Sequence, residues 1–164
     1  HRTPLGVVAA IVPWNFPLLI AVYKLSPALI TGNAIILKPA PTTPVSALIL
    51  GRIIADIVPK GLVSIIVDNN DLGPVLTSHA DIAKISFTGS TPTGKAIMKN
   101  AADTMKRLTL ELGGNDAAIV LDDVDPKAIA PSIFNSAFIN SGKYALHLNA
   151  YTYMKLFTMN SVVK

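Results

Sequence analysis

The chain contains no cysteine among its 164 residues. That excludes a disulfide frame, thiolate zinc ligation and a cysteine nucleophile within these residues. Charge is also scarce: charged residues make up 15% against 51% apolar ones, a balance that excludes a self-repelling disordered chain and calls for a buried core. The three histidines, His1, His79 and His147, stand far apart and show no metal-ligand spacing, so no metal site is expected. The net charge of +4 is spread along the chain without a basic stripe or interleaved aromatics, so no nucleic-acid partner is expected. No uninterrupted apolar run attains the ~18–20 residues of a membrane span. The longest, Leu18 to Ile36, is broken by Lys24, Pro27 and Gly32–Asn33, so no membrane partner is expected either. No signal peptide is visible, and a cytoplasmic location is expected. The first residue is His1 rather than Met, so the chain is expected to begin inside a longer protein.

What is present is an alternation of short β-branched runs and longer helical ones. Gly6–Val12, Ala34–Leu37, Leu62–Val67, Lys84–Phe87, Arg107–Glu111 and Ala117–Leu121 read as strands. Leu18–Thr31 reads as a helix stopped by Gly32–Asn33. Thr43-Pro44 reads as N-cap and first-turn proline of a helix to about Val58. Leu72–Ser78 reads as a short helix, Thr91-Pro92 as the start of one to about Met105, and Asp125-Pro126 as the start of one to about Asn140. That order predicts an α/β domain: a Rossmann-like, mostly parallel sheet with flanking helices. No internal repeat is present.

Parallel sheets bind ligands beyond the carboxyl ends of their strands. The loops at those ends are "PWNFP", "KPAPTTP", "TGSTPTG" and "ELGGND", each dense in turn residues and polar groups. "GSTPTGK", Gly89 to Lys95, matches most of a phosphate-binding P-loop, but Ala96 stands where the magnesium-holding hydroxyl belongs, so the motif fails where its chemistry matters. A dinucleotide G-x-G-x-x-G is absent. Free N–H groups at the helix start can still take a phosphate; equally, Ser90 or Thr91 can be a plain helix cap.

Taken together, "PLGVVAAIVPWNFPL", "KLSPALITGNAIILKPAPTTP", "DIAKISFTGSTPTGK" and "LTLELGGNDAAIVLDDVD" resemble the aldehyde dehydrogenase superfamily, in its order and spacing, from Pro4 to Gly142. The resemblance implies an interior piece of a longer enzyme: an NAD(P)-binding domain over 1–123 and the start of a catalytic domain over 124–142. It implies NAD or NADP as cofactor, an aldehyde as substrate and, in the intact family, a homo-oligomer. By the same resemblance Asn15 is the amide of the oxyanion hole, although a residue between Trp14 and Phe16 can also simply turn the chain. Glu111 is the general base that activates water, its movement eased by Gly113 and Gly114, which can equally form a plain turn. Pro13 and Trp14 border the cofactor, Lys38 bonds the adenosine ribose, and Gly89, Ser90 and Gly113 complete the cofactor site. A strand-ending lysine is otherwise a solvated charge. Lys24 matches a lysine near the proton path or has a structural role. Pro41 stands where many NAD-preferring members carry glutamate, which leaves NAD against NADP open.

The family continues from "NSG" into Q-V-C, whose cysteine is the nucleophile. Here Ala145 occupies that place. Within the degeneracy of the code, one base restored in the Gly142 codon lets the remaining bases read Q-V-C-L-A-F-K-R-L-Y-I-Y-E-T-I-Y-D-E-F-R-R-E, a family-like continuation. Residues 143–164 are therefore expected to be a frameshifted tail that does not complete the fold, and the literal chain is expected to be inactive. The alternatives are a non-catalytic dinucleotide-binding or interaction module and, opposed by Ala96, a P-loop nucleotidase.

Overall fold

The computed structural model describes residues 3–114, 116–121, 123–143 and 148–153. They form two compact units, one ending at Leu112 and one beginning at Gly113.

The first unit is built on five parallel strands: β1 (Val7–Ile11), β2 (Ala34–Lys38), β3 (Val63–Ile65), β4 (Ile82–Thr88) and β5 (Arg107–Glu111), in the spatial order β3-β2-β1-β4-β5. The helices are α1 (Pro17–Ile30), α2 (Val45–Ala55), α3 (Leu72–Ser78) and α4 (Thr91–Ala101). Successive side chains of a strand face opposite ways, and β1 shows both faces buried. Val8, Ala10 and Val12 pack with Ala21, Leu25 and Ala28 of α1 and Ala47 of α2. Ala9 and Ile11 pack with Leu76 of α3 and with Ile97 and Ala101 of α4. Burial on both faces explains why β1 reads as a continuous apolar run without alternation. Fully buried Ile35, Leu37 and Ile85 anchor the sheet, each worth about 1.5–3 kcal/mol of burial.

The ends of the elements follow their punctuation. Pro17 opens α1, where its missing N–H costs nothing. Gly32, at φ +76°, turns the chain out of α1, and an added Cβ there would come within 3.0 Å of Pro4. Asn33 then ties helix to strands: its Oδ1 accepts from the Leu5 and Gly6 amides, and its Nδ2 donates to the Ala28 carbonyl. One expectation shifts. Thr43 does not cap α2; Pro44 holds the N-cap position without a side-chain bond, and the Thr43 hydroxyl is buried without a hydrogen-bond partner.

The second unit holds β6 (Asp116–Val120), α5 (Pro126–Phe138), a 3-10 turn over Ile139–Gly142, and β7 (Leu148–Tyr153), which pairs parallel with β6. Asp125 caps α5, its carboxylate accepting the Lys127 amide at 3.0 Å. β7 lies within residues 143–164, the expected frameshifted tail. Ala145 lies outside the described residues. Among the described residues no helix is long and apolar enough to cross a membrane.

Candidate functional site

From β1 the chain crosses over to β2 and on to β3, whereas β4 and β5 lie on the other side of β1. In open parallel sheets such a switch in direction, here between β1 and β4, marks where ligands bind, beyond the carboxyl ends of the strands. Register brings the predicted loops to that one edge. Ile11 of β1 stands beside Lys38 of β2 and Phe87 of β4, and Thr88 stands beside Glu111 of β5. Pro13, Trp14 and Asn15 leave β1, Gly89 and Ser90 leave β4, and Glu111 ends β5, all on this edge.

Each residue is held by local chemistry. Trp14 is 51% exposed. The Asn15 Oδ1 atom is buried. The Gly89 amide donates to the Glu111 carbonyl at 3.0 Å, which locks the start of the helix loop to the end of β5. An added Cβ at Gly89 would come within 2.5 Å of the Phe87 ring, so any larger residue there must displace that ring. Ser90 caps α4: its Oγ accepts the Thr93 amide at 3.4 Å and lies 2.8 Å from the Thr93 hydroxyl. The capping role is thus present in the structure, and α4 points its amino end toward the same edge. Gly113, which opens the second unit, has an ordinary φ and open space beside its Cα, so any freedom it lends to Glu111 does not come from a left-handed backbone.

Lys24 and Lys38 both differ from solvated surface lysines. Lys24 is 8% exposed and donates to the Ser86 hydroxyl of β4 at 3.0 Å. Burial pushes its pKa down to about 8; the Glu111 carboxylate opposes that and Lys84 adds to it. Lys24 and Glu111 are therefore electrostatically coupled across the sheet face. Lys38 is 4% exposed, and its Nζ lies 2.7 Å from Oδ1 of Asp68, itself 1% exposed. Burial alone would raise the Asp68 pKa. The Lys38 hydrogen bond, the Leu72 and Asn70 amides and the Lys38 charge outweigh it and hold the carboxyl below its ordinary value. Asp68 belongs to none of the sequence motifs. The available signal was an acid in the turn-rich "VDNND" just past β3, the strand beside β2.

These features fit a nucleotide: a glycine at the base of the loop, a capped helix start, a buried Thr43 hydroxyl without a hydrogen-bond partner in the loop after Lys38, and a buried lysine, paired with Asp68, at the strand end. Among the described residues no group of three or more His, Cys, Asp or Glu side chains could hold a metal ion.

A sequence model of the aldehyde dehydrogenase family matches residues 1–152. The chain belongs to the aldehyde dehydrogenase family. The match runs past Gly142 into the tail. The aldehyde dehydrogenase LUC3 of a Fusarium species is 48% identical over 143 residues, 87% of this chain and 30% of that relative. Betaine aldehyde dehydrogenase of Agrobacterium fabrum is 43% identical over 143 residues, 87% of this chain and 29% of that relative. The chain thus spans about a third of the length of the relatives it matches. Among solved structures, PnpE in complex with nicotinamide adenine dinucleotide superposes with a TM-score of 0.90 at 39% identity, covering 94% of this chain and 32% of that one. An Escherichia coli structure described as an NADP-dependent enzyme superposes at 0.88 and 40% identity, over 92% of this chain and 32% of that one. The parallel sheet with flanking helices is therefore the dinucleotide-binding fold of these aldehyde dehydrogenases.

Proposed function

We propose that this chain is the cofactor-binding part of an NAD(P)-dependent aldehyde dehydrogenase, which oxidises an aldehyde to a carboxylic acid. The observation that carries the reading is the gathering of Trp14–Asn15, Lys38, Gly89–Ser90 and Glu111 on the carboxyl edge of four neighbouring strands. Pro13, Trp14, Lys38, Gly89 and Ser90 would hold NAD or NADP, which when bound supplies the hydride acceptor. Asn15 supports the developing charge on the aldehyde oxygen through its amide N–H, an effect worth about 3–4 kcal/mol where comparable donors were removed. Glu111 takes a proton from water as general base. Lys24, whose own pKa is raised by the Glu111 carboxylate against the lowering by burial, lies close enough to feel that charge. Residues 1–123 carry the cofactor, and 124–142 begin the catalytic part.

The tail determines what the literal chain can do. With Ala145 in the nucleophile position, no thiol adds to the aldehyde, and Asn15 and Glu111 alone do not generate a hydride donor. A one-base shift at Gly142 accounts for both Ala145 and the residues after it. Assays of reduced-cofactor formation with a panel of aldehydes test the function: the literal chain should show none, and a frame-repaired protein with its flanking sequence should turn over. Turnover by the literal chain overturns this account. Codons across Gly142 that cannot yield Q-V-C in another frame overturn the shift alone.

A further inference from the structure

We infer that the buried Lys38–Asp68 pair sets cofactor preference, favouring NAD over NADP, with Asp68 as the positioning residue and Lys38 as the residue that touches the ribose. The inference rests on the proposed cofactor site. Pro41 supplies no carboxylate, so the loop after β2 does not itself exclude a 2′-phosphate. The structure offers another acid. Asp68 follows β3, the strand hydrogen-bonded to β2, and its Oδ1 lies 2.7 Å from the Lys38 ammonium. Its Oδ2 accepts the Leu72 amide at 2.9 Å, which fixes the carboxylate against the start of α3. Both side chains are almost wholly removed from water.

Two consequences follow from that geometry. An ammonium has three donors, and one directed at Asp68 fixes the lysine while leaving others for ribose hydroxyls. The pair is also electrically neutral. A 2′-phosphate arriving at Lys38 therefore meets no uncompensated cation and comes close to a buried anion, which repels it in a medium of low effective dielectric. A ribose 2′-hydroxyl carries no charge and incurs no such repulsion. An unpaired lysine would do the opposite and welcome the phosphate.

Calorimetric titration of the full chain with NAD and with NADP tests this. The wild type should bind NAD more tightly. Asp68→Asn frees the Lys38 charge, and the NADP-to-NAD ratio of Kd values should fall by about tenfold, ~1.4 kcal/mol. Lys38→Met leaves Asp68 bare, and the ratio should rise while both affinities weaken. The two changes push in opposite directions, so either variant that keeps the wild-type circular dichroism decides. A wild type that prefers NADP, or a ratio unmoved in the folded variants, overturns the inference and leaves the cofactor site standing. A wild type that binds neither cofactor overturns both.

Discussion

Lys24 is the residue whose environment most sharply predicts behaviour. Its pKa falls from 10.5 to about 8 on folding, chiefly through burial. Between those values the unfolded chain holds a proton that the folded chain has lost, so stability contributed through this group rises with pH from about 8 to about 10.5. Melting curves of wild type and Lys24→Met across that range should diverge, with the wild type gaining about 3 kcal/mol relative to the variant. Parallel curves would mean that the ammonium is not desolvated. Asp68 has the reverse linkage. Its lowered pKa adds stability above the ordinary carboxyl range, lost as pH falls through the folded value. Asp68→Ala at neutral pH should cost about 3–5 kcal/mol, because it strands a buried lysine, and chemical denaturation measures it. Gly89→Ala should cost about 1–3 kcal/mol, since the Phe87 ring that its methyl would strike is buried. A neutral result there would show that the ring yields freely.

Among the elements, local chemistry set what was readable from sequence and pairing set what was not. α3 runs over Leu72–Ser78 as read, and α1, at Pro17–Ile30, starts and ends one residue before the expected Leu18–Thr31. β4 extends to Ile82–Thr88, beyond the apolar run at Lys84–Phe87, because β1 and β5 pair with it on both sides. β3 shrinks to Val63–Ile65 because it is an edge strand with only β2 to pair with. The site was legible as a set of loops, since turn residues announce strand ends. Asp68 was not, because its partner lies thirty residues away in the chain and only the β2–β3 register brings them together. The α4 cap gives a direct test: Ser90→Ala should destabilise by about 1 kcal/mol, read in thermal melts. No loss would show that Thr93 or solvent replaces the cap.

For the whole molecule, the central claim is that a dinucleotide lies along the carboxyl edge at the switch between β1 and β4. Everything proposed of the chemistry depends on that placement: Asn15 and Glu111 matter only if the nicotinamide end comes to them, and the Lys38–Asp68 pair only if the adenosine end does. Family membership fixes the fold, while the proposed reading of Ala145 as standing in the nucleophile position separates binding from turnover. Binding is therefore the property to measure. The most direct measurement is amide hydrogen exchange of the full chain with and without saturating NAD. Slowed exchange should concentrate at residues 14–16, 38–43 and 88–91, with the amino ends of the same strands unchanged. Protection confined to the amino ends, or none at saturation, would contradict the placement of the site.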